Sequence, residues 1–178
     1  NNNKDLTVLP FDSTSITTSI IPTPSKVILN SQKLINLSIG INIQLEGVKR
    51  KDIAAALTHL ASLGIKESDS GVLVNIKKER IHTSVDGAYK ISIDDNHINI
   101  STEDGTGAFY ALQSLSSLLR LESKTIPNVI VEDQPRFSFR GMHLDVARNF
   151  HSKQLVKKLI TQMSAYKLNK LHLHLSDD

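Results

Sequence analysis

Residues 139–175 carry the pattern that most restricts how this chain can fold. An apolar strand candidate, FRGMHLDV at 139–146, is followed by Ser152 as a helix N-cap candidate, and Leu155, Val156, Leu159, Ile160 and Met163 then form one helical stripe. A second strand candidate, LHLHL, occupies 171–175. Strand, helix and strand in succession make a βαβ unit, whose strands run parallel. Parallel strands belong to larger sheets covered on both faces, and two strands cannot make such a sheet. The sequence stops at Ser176-Asp177-Asp178, straight after an apolar run, where a domain of this kind continues into a loop and a helix. The expectation is a cut.

Upstream the pattern is of another kind. The first 25 residues are rich in Asn, Ser, Thr and Pro, with Pro10, Pro22 and Pro24 as breakers, and read as an extended lead-in or linker over 1–25. Structure is expected from about Lys26. Leu37, Ile39, Ile41, Ile43 and Leu45 alternate as in a half-buried strand, whereas Ile53, Leu57, Leu60 and Ala61 share one face of a helix over 49–63 that Gly64 would end. GVLVNI at 71–76 reads as a short strand, and Tyr89, Ile91, Ile93 with Ile98, Ile100 flank Asp94-Asp95-Asn96-His97 as a hairpin. Leu112, Leu115, Leu118 and Leu119 predict a second helix over 108–121, and TIPNVIV at 125–131 a last strand. These elements give a two-layer α/β domain, sheet plus helices, over 26–132. A boundary falls at Glu132-Asp133-Gln134-Pro135-Arg136, and 133–178 begin something new.

Composition excludes several classes. With 39% hydrophobic and 22% charged residues the chain is of ordinary globular type. Its net charge of +3 comes from scattered Lys and Arg, with no basic run interleaved with aromatics, so a nucleic-acid partner is not expected. No run approaches the length of a membrane span, and NNNKDLTVLP lacks the basic and apolar regions of a signal peptide. Without cysteine there is neither a disulfide nor a thiolate metal site. Aromatics are 4% with no Trp, so any site here must be built from charged groups, amides and imidazoles. No Gly-x-Gly-x-x-Gly, Walker-type or Gly-x-Ser-x-Gly segment occurs.

Polar residues gather at corresponding places in the βαβ unit: Asp145 and Arg148 at or just after the end of the first strand, Asp177 and Asp178 after the second. Active sites of α/β barrels and open sheets sit at the carboxyl ends of their strands. The same residues would equally serve as an Asp145–Arg148 ion pair and as caps of a following helix. His172 and His174 point to one side of their strand. With a following Asp they could ligate zinc; the alternative is imidazoles filling a barrel interior, and His143 and His151 read in the same way. Asp94, Asp95, Glu103 and Asp104 lie in turns as solvated carboxylates, and Lys124 and the lysines of the last helix read as solvated face.

The stretch FRGMHLDVARNFHSKQLVKKLITQMSAYKLNKLHLHLSDD, residues 139–178, strongly resembles the first βαβ unit of the catalytic barrel in glycoside hydrolase family 20, the β-N-acetylhexosaminidases and chitobiases. IIPTPSKVIL, GAYKISIDDNHINIS and EDGTGAFYALQSLSSLL resemble that family's non-catalytic α/β domain, so the likeness covers roughly residues 20–178. The resemblance implies an N-terminal part only: the α/β domain and the start of a truncated (β/α)8 TIM barrel. It implies exo-hydrolysis of terminal β-linked N-acetylglucosamine or N-acetylgalactosamine, as in chitin oligosaccharides, with the substrate's 2-acetamido oxygen as nucleophile and retention of configuration. No metal or organic cofactor is implied, and a secreted or periplasmic setting is favoured.

Carried over position by position, the resemblance gives Arg148 the O3 and O4 hydroxyls of the terminal sugar, and Asp177 a place in the network supporting the general acid. Arg140, Asp145, His174 and Asp178 would support the barrel mouth. The family's Asp-Glu pair, which orients the acetamido group and protonates the leaving oxygen, lies beyond the fourth strand, and the Trp residues of the sugar pocket are missing too. This chain alone is therefore expected to be inactive, the remainder of the barrel being supplied by the same or a second chain. Alternatives are a truncated piece without function of its own and a non-enzymatic carbohydrate-binding or interaction module, the latter disfavoured by the few aromatics.

Overall fold

The computed structural model describes residues 19–81 and 85–176. Eleven elements follow in order: β1 Lys26–Asn36, β2 Ile41–Glu46, α1 Arg50–Ser62, β3 Val72–Lys78, β4 Tyr89–Ile93, β5 His97–Thr102, α2 Gly105–Leu118, β6 Thr125–Asp133, β7 Gly141–Asp145, α3 Lys153–Ala165 and β8 Lys170–His174. The first six strands form one mixed sheet in the order β1-β6-β4-β5-β3-β2, and β7 and β8 form a second, two-stranded sheet. β2, β3 and β5 are parallel, whereas along β5, β4, β6 and β1 each strand is antiparallel to its neighbour. α2 packs on β4, β5 and β6 and against α1. Among the described residues no helix is long and apolar enough to cross a membrane.

Each strand of the larger sheet sends one face inward. Ile91 and Ile93 of β4, Ile98 and Ile100 of β5, Val74 and Ile76 of β3 and Val129 and Val131 of β6 are buried, together with Ile53, Leu57 and Leu60 of α1 and Ala108, Leu112 and Leu115 of α2. Packing begins before Lys26: Ile20 is already buried in this core.

Three elements depart from the sequence expectation. β1 is an eleven-residue strand that periodicity did not reveal, because its register against β6 shifts between Leu29 and Leu34 and the irregularity breaks the alternation. β2 starts only at Ile41; Leu37 turns inward instead, and Ile39 is exposed. α2 starts at Gly105, ahead of the expected 108, because Asp104 caps it by accepting the N–H of Gly107 at 2.6 Å and also accepts that of Gly87 at 2.9 Å. Asp104 is thus structural rather than solvated, and Glu103 accepts the N–H of Ile81. Lys124 is also engaged: its ammonium donates to the Leu63 carbonyl at the end of α1. Pro127 is tolerated in β6 because β4 pairs only with residues beyond it.

Candidate functional site

β7 and β8 are parallel, with His143 opposite His172 and Asp145 opposite His174. Partners in register project to the same side, so the two short strands present three imidazoles and a carboxylate on one face. The rings of His143 and His172 have centroids 4.9 Å apart, and those of His143 and His174 6.1 Å. Among the described residues, no group of three or more His, Cys, Asp or Glu is arranged to hold a metal ion.

At the carboxyl end of β7 the chain turns on Asp145. Its carboxylate accepts the backbone N–H of Ala147 at 3.0 Å and of Arg148 at 3.1 Å, while Val146 donates to the His174 carbonyl and ties the two strand ends together. The N–H of Arg148, aided by that of Ala147 and by positive charge on His174 and Arg148, holds the Asp145 carboxyl below its ordinary range against a smaller opposing effect of burial. Arg148 Nε lies 3.4 Å from Asp145 Oδ2, and the Arg148 side chain is 72% exposed. Ion pair and exposure coexist: the carboxylate, fixed by two amides, aims a guanidinium that still faces solvent at the strand end. A fork of N–H donors held in this way suits a ligand with neighbouring hydroxyl oxygens.

The structure brings Asp145, Arg148 and His174 together. Arg140 is elsewhere: it precedes β7 and therefore lies at the amino end of the strand, opposite the barrel mouth expected for it. Its guanidinium donates to the carbonyls of Phe137 and Lys167 and to the Tyr110 hydroxyl. Asp177 and Asp178 lie outside the described residues. Of the turn carboxylates, Asp94 accepts the N–H of Asn96 and His97, and Asp95 pairs with Lys33 and Asn128. A cleft of about 480 Å³ opens between α2 and the end of α3, lined by Asp52, Phe109, Tyr110, Ser164 and Leu168 among others. Among the described residues, none of those predicted from sequence for the site is in its lining.

Sequence reasoning passed over a buried polar group joining the two sheets, in which Lys167, 5% exposed, meets Asp133 of β6. Its one signal is a lysine where a helix ordinarily ends in glycine.

Residues 17–134 match the family model described as glycosyl hydrolase family 20, domain 2, and residues 137–178 the catalytic domain of the same family. The chain is 45% identical to "Beta-hexosaminidase B" of Pseudoalteromonas piscicida over 159 residues, 89% of this chain and 20% of the relative. It is 35% identical to the N,N'-diacetylchitobiase of Vibrio harveyi, over 92% of this chain and 19% of that one. Among solved structures, the family 20 exo β-N-acetylglucosaminidase of Vibrio harveyi in complex with N-acetylglucosamine superposes with a TM-score of 0.76 at 30% identity, covering 90% of this chain and 26% of that one. The N-acetyl-β-hexosaminidase of Streptomyces plicatus does so with a TM-score of 0.74 at 25% identity, covering 90% and 35%. The chain spans about a fifth of the length of these curated relatives.

Proposed function

The chain belongs to glycosyl hydrolase family 20, and from that premise we propose that it is the amino-terminal part of an exo-acting β-N-acetylhexosaminidase. In this reading residues 1–25 are a lead-in, 26–132 the non-catalytic α/β domain, and 133–178 the opening of the catalytic (β/α)8 barrel. The substrate is an oligosaccharide ending in β-linked N-acetylglucosamine or N-acetylgalactosamine. The remainder of the barrel is the partner that covers the outward apolar side chains of β7, α3 and β8, among them Met142, Leu155, Ile160 and Leu173.

The observation that carries the proposal is Arg148: past the carboxyl end of the first parallel strand, solvent-facing, and oriented by a carboxylate that two backbone amides pin. Its guanidinium binds the O3 and O4 hydroxyls of the terminal sugar. With the ring so held, the substrate's 2-acetamido oxygen attacks the anomeric carbon while a general acid from another strand protonates the leaving oxygen. Asp177 supports that acid, and Asp145, His174 and Asp178 support the mouth. The reaction uses no cofactor. In the same reading the 178 residues alone do not catalyse it, since the general acid and the carboxylate that orients the acetamido group come from another strand of the barrel than the one Asp177 and Asp178 follow.

The test is made in the protein carrying the whole barrel, with a chromogenic N-acetylglucosaminide. Arg148→Ala should lose transition-state binding on the order of 1.5–3 kcal/mol, and Arg148→Lys should not restore it, because an ammonium lacks the fork. Activity of Arg148→Ala within about twofold of the parent, a margin below about 1 kcal/mol, would sink the assignment. Turnover co-purifying with the 178-residue chain would sink the statement about its inactivity.

A further inference from the structure

α1 and α3 end by the same backbone device with different residues in it. In α1 the N–H of Gly64 bonds the Ala61 carbonyl at 3.0 Å and that of Ile65 the Leu60 carbonyl at 3.0 Å; in α3 the N–H of Lys167 bonds Ser164 at 3.1 Å and that of Leu168 bonds Met163 at 2.8 Å. Both are Schellman closures, whose pivot residue is left-handed and is usually glycine. Gly64 has φ of +88° and Lys167 of +59°. For a lysine this conformation brings Cβ close to the backbone, so the reason for its presence must lie in what the side chain does.

That side chain crosses to the larger sheet. Lys167 Nζ lies 3.2 Å from Asp133 Oδ2, the last residue of β6, and donates at 2.7 Å to the hydroxyl oxygen of Tyr89, the first residue of β4. The Tyr89 O–H donates to the same carboxylate at 2.9 Å, so the Ser114 hydroxyl, 2.6 Å away on α2, must donate to the tyrosine oxygen, whose single proton is already committed. The network is closed. Burial pushes the Lys167 ammonium below its ordinary range, and the Asp133 charge opposes that shift; a charge so placed is tolerated because it is paired and hydrogen-bonded.

The backbone of Lys167 is held as well. Its carbonyl accepts from Arg140 Nε at 2.9 Å, and Arg140 Nη2 donates to the Tyr110 hydroxyl of α2 at 2.6 Å. Asn169 Nδ2 donates to the Ser138 carbonyl, Asn169 Oδ1 accepts the Arg140 N–H, and the N–H groups of Asn169 and Lys170 both reach the Arg140 carbonyl. The chain segments leading into β7 and β8 are therefore stitched to each other and, through Lys167 and Arg140, to the six-stranded unit.

We propose that Lys167 is a positioning residue, a clasp by which the larger sheet fixes the amino ends of β7 and β8 and thereby the register that places Asp145 and His174 side by side at their carboxyl ends. A slip of one residue in a strand moves every side chain to the opposite face, and two short strands have few contacts of their own with which to resist it. The sheet that takes no part in chemistry acts in this way on the site from the far end of its strands.

The decisive variant is Lys167→Gly in the 178-residue chain. A residue serving only to end α3 would be improved by glycine, which adopts the left-handed turn without strain. The clasp predicts the reverse: amide hydrogen exchange at Val146 and along β7 and β8 should speed up at least tenfold, while Ile91, Ile100 and Val131 in the large sheet change less than threefold. Unchanged or slower exchange in β7 and β8 would overturn the proposal, and so would equal acceleration in both sheets, which would make the lysine part of one common core. Lys167→Met and Asp133→Asn, singly and together, give the second reading. Their effects on β7–β8 exchange should be non-additive, since the second change removes a group the first left unpaired; additive effects would likewise overturn the clasp.

Discussion

α1 and α3 are each 13 residues long, amphipathic and ended by the same turn, yet α1 buries Ile53, Ala56, Leu57 and Leu60 whereas α3 buries Met163 alone. The contrast extends to the units containing them. The hydrophobic cluster runs from Ile20 to Val131 without a residue of the second unit, while Phe137, Phe139, Phe150, Leu155, Ile160 and Leu175 stand exposed. Apolar periodicity therefore specifies an element and the face it would bury. Whether that face is buried depends on a partner, and the six-stranded unit supplies its own.

Truncating one leucine in each helix is the strongest way to break this comparison. Leu60 of α1 is 1% exposed and Leu155 of α3 is 50% exposed. Leu60→Ala should cost about 2–5 kcal/mol, because it removes packed atoms and leaves a cavity. Leu155→Ala should cost about 0.5 kcal/mol or less, as at other surface positions. Urea unfolding, together with amide exchange within each helix, reads both. Similar costs would mean that α3 packs in solution against something that covers it.

The same contrast explains what the sequence made legible. α1, β3, the β4–β5 hairpin and β6 were readable because each has one inward face of Ile, Val or Leu and a turn residue at its end. β1 was not, since its bulge interrupts the alternation, and α2 was read as starting late because Gly105 and Gly107 weaken the helical pattern where the Asp104 cap creates it. In the candidate site, Asp145 and Arg148 stood out by position at the end of the first parallel strand, and His174 by its alternation with leucines within the second. Arg140 shares their motif, but the strand candidate at 139–146 already put it at the amino end, and β7 begins just after it at Gly141. Asp133 fell in the polar boundary segment and Lys167 carried no pattern of its own, because a lone charge at the end of an element is ordinarily solvated; their pairing depends on β6 and the α3–β8 turn meeting in space.

A smaller difference is expected at the helix starts. Asp104 caps α2 through the Gly107 amide at 2.6 Å and also accepts that of Gly87, ahead of β4, at 2.9 Å, in a half-buried setting. Ser152 caps α3 through one amide, Leu155 at 3.2 Å, in an exposed one. Asp104→Ala should therefore cost about 2 kcal/mol and Ser152→Ala about 0.5 kcal/mol, the two ends of the usual range for caps. Equal losses in thermal or urea unfolding would show that the surroundings of the cap do not set its worth here.

The smallest expected effect concerns a device the two units share. Asp94 accepts the N–H groups of the residues two and three positions on, Asn96 and His97, just as Asp145 accepts those of Ala147 and Arg148. In both the leading cause of a lowered carboxyl pKa is a backbone amide, from Asn96 for Asp94 and from Arg148 for Asp145. The folded pKa of each lies below the unfolded one, so each contributes stability that is present above the ordinary aspartate value of about 3.9 and is lost as pH falls through the lower folded value. Carboxyl-carbon NMR titration should place both below that value. Arg148→Ala keeps the amide and removes only the guanidinium, so most of the Asp145 depression should persist, whereas Arg148→Pro, which removes the N–H, should abolish most of it. Return of Asp145 to the ordinary value in Arg148→Ala would mean that the ion pair, not the turn, holds the carboxylate. The guanidinium would then be committed to Asp145 rather than presented to a ligand.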